Sequence, residues 1–346
     1  MLKVGFPYDT FPTGWFQVAW DRELVVGTVL SRHYFGRDLV IYRADDDVVR
    51  VADAVCRHMG ANIACGGWTE GDDIVCPFHG WQFDGEGRNT RIPYSTGPNG
   101  KRRIRQFPTR VSNGIVWMWH DELDRDPWWE PPIDRQNFLD GSTYPVYPDA
   151  THRWENEPFP AQLPVENQAD MEHIRFVHKG DGPIELLFLE PDGHMLRSGV
   201  KMTFGYGKPK TWLTPDGPIE AGIKGEAYGI GIIMDLFSGT DETWLFDCHT
   251  PVTHTSCDLF NTYLIRKPED EPEGEFGPLA QARMREQIKQ VGRDLVIWRN
   301  MHYVQNPATT REEGKFMATL RRWCATFYPS RSDVEAHRAS TIRTVD

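Results

Sequence analysis

The sequence predicts a mixed α+β fold in two domains: an all-β N-terminal domain, then a larger domain in which an antiparallel sheet carries a few helices. First, 346 residues are too many for one small hydrophobic core. Second, residues up to about 125 form short Val- and Ile-rich runs between turns, whereas later strand-like runs alternate with helical stretches. An acidic, Pro-rich segment at 122–132 separates the two parts, so we predict domains of 1–125 and 126–346.

Individual strands are predicted where β-branched residues are bounded by turn residues. The N-terminal candidates are Leu24–Leu30, Asp38–Ala44, Val48–Ala54, Asp73–Cys76, Trp81–Asp84, Gln106–Val111 and Gly114–His120. Three consecutive aspartates, 45–47, separate the second and third candidates, which predicts a hairpin there. In the larger domain the sequence predicts strands within 185–266 and helices at 164–178 and 278–300.

Composition excludes several classes of partner. The net charge of -12 would repel a phosphate backbone, and no cluster of Lys and Arg offsets it, which argues against nucleic acid. The sequence contains no run of about eighteen apolar residues, so no membrane span is expected. Six cysteines occur without an export signal and are interpreted as reduced thiols or metal ligands. We therefore expect a cytoplasmic protein.

Two short segments each offer one thiol and one imidazole: Cys56 with His58, and Cys76 with His79. Structural zinc is one interpretation, but zinc fingers usually place both Cys before both His, with the second pair on a helix. The order Cys, His, Cys, His on loops between strands fits a Rieske 2Fe-2S cluster, because each loop then supplies a ligand to both irons. Cys65 lacks a paired His and is predicted to be a buried thiol.

A second constellation comprises Asp170, His173 and His178. Two imidazoles and one carboxylate with open coordination positions is the arrangement that holds non-haem ferrous iron. His178 follows His173 by five residues, which is about 140° around an ideal helix, so we predict that the helix is distorted or ends between them. The alternative is two unrelated histidines on an ordinary amphipathic helix.

Two aspartates compete to be the carboxylate ligand. Asp170 is close in sequence to the histidines, whereas Asp294 lies at the edge of an apolar stripe on the predicted helix 278–300. A partly buried carboxylate there needs a cation, which an Arg or an iron would supply. A rival imidazole pair, His249 and His254, is interpreted as part of a turn with exposed side chains.

Together the two motifs resemble the Rieske non-haem iron oxygenase family over essentially the whole chain. Several flanking segments are similar to the steroid-hydroxylating branch, the 3-ketosteroid 9α-hydroxylase oxygenases and sterol desaturases. These segments are GWF at 14–16, RHYFGRDLVI at 32–41, CPFHGWQF at 76–83, IPY at 92–94, and the later LVIWRN and LRRW. The resemblance implies a Rieske domain followed by a helix-grip (START-like) catalytic domain.

The resemblance also implies a role for each candidate residue. The four N-terminal ligands would hold the 2Fe-2S cluster, and His173, His178 and Asp294 would hold the mononuclear Fe(II). Asp170 matches the family's bridging carboxylate, which hydrogen-bonds an iron-binding His and, across a subunit interface, a cluster His. In this family the cluster of one subunit serves the iron of its neighbour, which implies a homotrimer.

The expected function is that of an oxygenase component that hydroxylates a small hydrophobic, steroid-like or polycyclic substrate with O2. No GxGxxG motif follows a strand, so no bound nicotinamide is expected, and electrons would come from a separate NAD(P)H-dependent ferredoxin reductase or ferredoxin. Alternatives are desaturation or oxidative demethylation of another apolar or aromatic substrate, and a Rieske electron carrier with a ligand-binding C-terminal domain. The apolar runs at 184–189 and 227–237 are interpreted as core strands rather than a cavity lining.

Overall fold

The computed structural model describes residues 5–132, 143–144, 147–178, 180, 182–204, 206–207, 216–239, 243–267 and 276–342. It divides into two compact units. The smaller unit comprises Trp15–His120 and Asp124–Ile133, and the larger comprises Met1–Gly14, Asp121–Leu123 and Asp134–Asp346. The arm that ends at Gly14 thus lies with the larger unit, and the domain ranges 1–125 and 126–346 remain predictions.

The smaller unit consists of short strands in three sheets. The strands are β1 (Gly14–Trp20), β2 (Val29–Tyr34), β3 (Arg37–Arg43), β4 (Val49–Asp53), β5 (Trp68–Glu70), β6 (Asp73–Val75), β7 (Gln82–Phe83), β8 (Asn89–Arg91), β9 (Gln106–Phe107), β10 (Thr109–Ser112) and β11 (Ile115–His120). Their orders are β1-β11-β10, β2-β3-β4-β9 and β5-β6-β7-β8. The last of these sheets carries the second Cys/His loop between β6 and β7.

The local sequence explains where the strand predictions succeed and fail in this unit. The predicted hairpin is confirmed as β3 and β4, and its turn contains Asp47 at a positive φ of 61°. The prediction of a strand over Leu24–Leu30 is wrong in its first part, because Gly27 has a φ of 86° and the chain turns before β2 begins. Strand β1 was not predicted, since all of its residues are buried and no polar alternation marks it.

The larger unit is built on one antiparallel sheet of seven strands. These are β12 (Thr151–Glu157), β13 (Ile184–Asp192), β14 (Met195–Phe204), β15 (Ile219–Tyr228), β16 (Ile232–Ser238), β17 (Thr243–Thr253) and β18 (Ser256–Ile265). The strand order is β12-β18-β17-β16-β15-β14-β13, so six strands form a meander and β12 pairs with the last of them. This confirms the predicted α+β fold class with its large antiparallel second sheet.

Five helices accompany the sheet among the described residues. They are α1 (Gln162–Glu166), α2 (Glu172–Phe176), α3 (Pro278–Trp298), α4 (Arg311–Ala325) and α5 (Arg331–Ile342). The predicted helix 278–300 is confirmed as α3, which has Pro278 in its first turn. The predicted helix 164–178 is wrong as one element, because α1 runs into a 3-10 turn and Asp170 is extended before α2 begins. Helices α4 and α5 were not predicted.

Helix α3 covers one face of the sheet, called here the inner face. Paired strands place Leu196, Ala227 and Ile233 on this face, and they form one apolar cluster with Leu295 and Trp298 of α3. A second cluster joins Leu245 and Tyr263 of the same face to Ala280 and Met284 of the helix. The apolar stripe predicted for α3 therefore packs against the sheet along its length. No helix among the described residues is long and apolar enough to cross a membrane.

Candidate metal centres

The first candidate centre is built from two loops with the same backbone geometry. The Cys56 loop follows β4 and the Cys76 loop follows β6. In each, the carbonyl of the Cys accepts a hydrogen bond from a Gly four residues later, at 2.9 Å from Gly60 and 3.0 Å from Gly80. Both glycines have positive φ, which the turn requires and which L-residues with a Cβ rarely adopt. Two equivalent loops thus present one thiol each.

The two thiols lie next to each other in the interior of the smaller unit. Cys56 and Cys76 are almost completely buried. A hydrogen bond from Cys56, followed by backbone N–H groups of Phe78 and His79, lowers the pKa of Cys76 to about 6. The same contact and burial raise the pKa of Cys56. Backbone N–H groups aimed at a sulfur stabilise a thiolate, which is the form that ligates iron.

The two imidazoles lie together at the ends of these loops. The rings of His58 and His79 are 4.7 Å apart, and His58 stacks on Trp81 at the same centroid distance. The indole N–H of Trp81 donates to the hydroxyl of Tyr94, which fixes the stacking partner. The Nδ1 atom of His58 is buried and has no hydrogen-bond partner among the described residues. An unpaired imidazole nitrogen beside two thiols is what a cluster ligand requires.

A single zinc ion suits these four residues less well than a two-iron cluster. Ligand atoms around one tetrahedral ion all lie close together. Among the described residues, the only group of three or more His, Cys, Asp or Glu whose ligand atoms lie within 4.8 Å of one another is elsewhere in the chain. The spread of the Cys and His atoms fits a cluster in which thiolates bind one iron and imidazoles the other.

That compact group is the second candidate centre: His173, His178 and Asp294. His178 Nε2 lies 3.3 Å from Oδ2 of Asp294, and the two imidazole rings are 5.2 Å apart. Asp294 is buried in α3 next to Leu295, as the apolar stripe predicted. Burial lowers the pKa of His173, which favours the neutral imidazole that binds metals. Two imidazoles and one carboxylate suit ferrous iron with open positions.

The backbone explains how both histidines reach one point. Helix α2 ends at Phe176, and the chain leaves the helix before His178. This confirms the prediction that the helix ends between the two imidazoles, since an unbroken helix would direct them about 140° apart. Asp170 itself lies before helix α2, in an extended conformation.

A glutamine that the sequence analysis missed orients His178. The Nδ1–H group of His178 donates to Oε1 of Gln290 at 3.0 Å, which leaves Nε2 directed at Asp294. Gln290 lies one helical turn before Asp294 on α3, and Arg293 donates to the same amide oxygen at 2.9 Å. The spacing of four from a candidate ligand was the available signal. Such outer partners fix the tautomer of a ligating His.

Asp170 contacts His173 through its backbone as well as its carboxylate. The backbone carbonyl of Asp170 contacts Nδ1 of the His173 ring, so Nε2 is the nitrogen left for a metal. The carboxylate accepts from the backbone N–H of His173 at 3.3 Å. The expected hydrogen bond between this carboxylate and the imidazole is therefore made by the backbone carbonyl instead.

The predicted exposure is wrong for the pair His249 and His254 and for Cys65. His249 is completely buried in β17, and His254 is half-buried at the following turn and stacks on Phe11. The pair was expected to be exposed because Pro251 suggested a loop, but both strands of the hairpin continue to the turn. Cys65, expected to be buried, is exposed, since it lies in a turn before β5 rather than on a strand.

Comparison with known proteins gives matches over both units. Residues 14–108 match the Rieske [2Fe-2S] domain, and residues 118–328 match the 3-ketosteroid 9α-hydroxylase C-terminal domain. The chain is 29% identical over 94% of its length to the oxygenase component of a 3-ketosteroid-9-alpha-monooxygenase of Rhodococcus rhodochrous, covering 85% of that protein. It is also 29% identical to a cholesterol 7-desaturase of Bombyx mori, over 93% of this chain and 70% of the relative.

Solved structures share the fold at lower identity. Dicamba monooxygenase bound to dicamba superposes with a TM-score of 0.74 at 20% identity, covering 92% of this chain and 98% of that one. A Rieske domain followed by this catalytic domain defines a Rieske non-haem iron oxygenase. Within that class, the chain belongs to the family of the 3-ketosteroid 9α-hydroxylase C-terminal domain. The resemblance predicted from the sequence is confirmed.

The cofactors of this class are a Rieske 2Fe-2S cluster and a mononuclear iron, with O2 as co-substrate. The residues of both candidate centres fit these cofactors. One centre offers two adjacent thiols with an unpaired imidazole, and the other offers two imidazoles and a buried carboxylate around one point.

Proposed function

We propose that this chain is the oxygenase component of a monooxygenase that hydroxylates a steroid-like substrate. The observation that carries the proposal is the compact group of His173, His178 and Asp294 in a chain of the 3-ketosteroid 9α-hydroxylase family. In this proposal these three residues hold the mononuclear iron, and Cys56, His58, Cys76 and His79 hold the 2Fe-2S cluster. The iron supplies O2 activation when bound, and the cluster supplies electrons to it.

The chain's own residues prepare the iron site in this proposal. Gln290 and the Asp170 carbonyl each bind Nδ1 of one imidazole, so both rings present Nε2 inward. Asp294 supplies the carboxylate from a helix that packs against the sheet, which fixes the position of this side chain. With three protein ligands, an iron bound here would keep open positions for O2.

The steroid-like substrate is inferred from the relatives. A 3-ketosteroid-9-alpha-monooxygenase component and a cholesterol 7-desaturase both match the chain over more than nine tenths of its length. The second relative is the observation that favours desaturation of a sterol-like substrate as the alternative reaction. Both reactions start from the same iron site and an apolar substrate.

Electrons are proposed to come from a separate NAD(P)H-dependent reductase or ferredoxin and to cross between subunits of a homotrimer. Met59, Phe78 and Tyr94 lie beside His58 and His79 and are all exposed, which gives the cluster an apolar rim for docking. Asp170 would bridge the cluster of the neighbouring subunit to His173. All six cysteines are free, which supports a reducing, cytoplasmic location.

The test is turnover of a steroid panel by the purified protein with a surrogate ferredoxin reductase. We expect products heavier by one oxygen atom, whereas desaturation would give products lighter by two hydrogens. His178→Ala should abolish product, while His33→Ala, which removes an exposed imidazole, serves as the matched control. Product formation by His178→Ala at the wild-type rate would refute the proposed iron site.

A further inference from the structure

Polar side chains follow one face of helix α3 up to the candidate iron site. Glu286, Gln290 and Asp294 are spaced by four residues, which places them one above the other along the helix. Arg293 precedes Asp294 and is half-buried. His178 reaches these side chains from the chain segment that follows α2, and it contacts both Gln290 and Arg293. The candidate iron ligand is therefore part of a hydrogen-bonded network on α3.

Gln290 lies at the centre of this network, with different partners at the two ends of its amide group. On the oxygen side, Nη1 of Arg293 donates to Oε1 at 2.9 Å, and the same oxygen accepts from Nδ1 of His178 at 3.0 Å. On the nitrogen side, Nε2 donates to Oε1 of Glu286 at 2.5 Å. The amide is thus held between a guanidinium, which only donates, and a carboxylate, which accepts.

These two neighbours decide which way round the amide lies. The oxygen and the nitrogen of an amide group have nearly the same shape, so the group can be turned over unless its partners distinguish the two ends. A guanidinium has no acceptor and must face the oxygen, whereas an ionised carboxylate has no donor and must face the nitrogen. Arg293 and Glu286 therefore impose the same orientation on Gln290 from opposite ends.

The orientation of the Gln290 amide in turn selects the tautomer of His178. With Oε1 facing the ring, the hydrogen of the neutral imidazole lies on Nδ1, and Nε2 keeps its lone pair on the side of Asp294. An overturned amide would donate to Nδ1, and the ring hydrogen would then lie on Nε2, where it blocks a metal ion. Metal binding by His178 thus requires the orientation that Arg293 and Glu286 impose.

The contacts of Arg293 are concentrated on this network. Among the described residues, its guanidinium forms no ion pair with a carboxylate, and Nη1 donates only to Oε1 of Gln290 and, at 3.4 Å, to the backbone carbonyl of His178. Hydrogen bonds from a charged donor are stronger than those between neutral groups. At the other end, the exposed Lys289 pairs with the second oxygen of Glu286 at 3.2 Å. The charge of Arg293 is therefore directed at the oxygen that His178 needs.

We propose that Arg293 and Glu286 are positioning residues that set the tautomer of His178 through Gln290. Neither residue is a ligand of the iron in this proposal. The inference rests on the proposed function, because it concerns a histidine that is proposed to bind the mononuclear iron. It also separates the pair from residues that merely stabilise the helix, since an orienting pair is needed only while residue 290 carries an amide.

The test uses this dependence on the amide. Gln290→Glu supplies two acceptor oxygens, so the side chain needs no orienting partner. In Glu286→Met protein, Arg293→Met removes the remaining orienting group and should lower the Fe(II) affinity by about tenfold. In Glu286→Met/Gln290→Glu protein, the same substitution should change the affinity by less than about twofold. Competition with a ferrous chelator measures the affinity without turnover.

An equal loss of Fe(II) affinity from Arg293→Met in both backgrounds would overturn the inference, because a purely structural role does not depend on residue 290. Arg285→Met, exposed on the same helix, is the control and should leave the affinity unchanged. Wild-type protein that binds no mononuclear Fe(II) would instead refute the proposed iron site itself. The two failures are therefore distinguishable.

Circular dichroism and the absorption of the 2Fe-2S cluster check that each variant is folded. If the combined variants do not fold, Arg293→Lys and Arg293→Gln take their place. A lysine only donates and keeps the amide oriented, whereas a glutamine also accepts and does not. We expect Fe(II) affinity to fall in Arg293→Gln and to persist in Arg293→Lys, and equal affinities in these two variants would overturn the inference.

Discussion

At the residue scale, the two imidazoles of the candidate iron site are held by different kinds of partner. His173 contacts the backbone carbonyl of Asp170, which a substitution of Asp170 does not remove. His178 instead contacts the side chain of Gln290. The short spacing of His and Cys residues made most of the candidate ligands recognisable in the sequence. It did not mark out Gln290, because a glutamine four residues from an aspartate is common on helices and the spacing alone does not distinguish it.

The Gln290 contact gives the first prediction. Gln290→Leu keeps the volume but removes the acceptor for Nδ1–H of His178, so the ring loses its fixed tautomer. We expect Fe(II) affinity to fall by about 10- to 100-fold, with the 2Fe-2S absorption unchanged. Competition with a ferrous chelator measures this affinity. Gln281→Leu, about 13 Å away along α3, is the control. An equal loss of Fe(II) affinity in both variants would show that Gln290 has no specific role.

At the element scale, the break between α1 and α2 is what assembles the site. One continuous helical stretch was predicted over 164–178. In the structure, Gln168 instead reaches the sheet beside Gly225, and Asp170 is extended. The set of residues that share one face of the large sheet was also beyond prediction, because strand register decides it, and register cannot be deduced from one strand's sequence.

The same Gly225 gives the second prediction. Gly225→Ala places a methyl group where Gln168 and Ser198 now lie, so one of them must move. We expect the variant to be less stable by about 1–3 kcal/mol and to bind Fe(II) more weakly, because Gln168 leads into the segment of His173. Urea unfolding and chelator competition measure the two effects. Gly97→Ala is the control, because Gly97 has no positive φ and no atom within 4 Å of the added methyl group.

Helix α4 was missed although it has a recognisable start. Thr310 and Glu313 form a capping box in which the hydroxyl of Thr310 accepts from the backbone N–H of Glu313 at 3.3 Å. Thr310→Ala should therefore lower the free energy of unfolding by about 0.5–2 kcal/mol. Chemical denaturation followed by circular dichroism checks this value. The neighbouring exposed Thr309 makes the matched Thr309→Ala control, and equal destabilisation by both variants would argue against the cap.

At the scale of the whole molecule, the two candidate metal centres lie in different units. The proposed cluster ligands belong to the smaller unit and the proposed iron ligands to the larger one. Both ligand sets were predicted from sequence because each is local or nearly so. Asp294 is the exception, more than a hundred residues from the histidines, and it was placed by its buried position on a helix and by family resemblance together.

Asp170 is proposed to carry electrons between the two metal centres. Asp170→Ala keeps its backbone carbonyl, which is the group that contacts the His173 ring, so iron binding should persist. If the carboxylate bridges subunits as proposed, turnover should fall by about 100-fold while both metal centres remain full. Stopped-flow reduction followed by a single-turnover assay separates the steps. Glu172→Ala, exposed and two residues away, is the control, and normal turnover in Asp170→Ala would show that electrons take another route.

The central claim is that this chain holds two separate iron centres, a 2Fe-2S cluster in the smaller unit and a mononuclear iron on His173, His178 and Asp294. Iron analysis of the Asp294→Ala variant tests this claim most directly. Wild-type protein should contain about three irons per chain and show the electron paramagnetic resonance spectrum of a reduced Rieske cluster. Asp294→Ala should contain about two irons with the same spectrum, because only the mononuclear site has lost its carboxylate. Three irons retained in that variant, or zinc and no cluster spectrum in the wild type, would contradict the account.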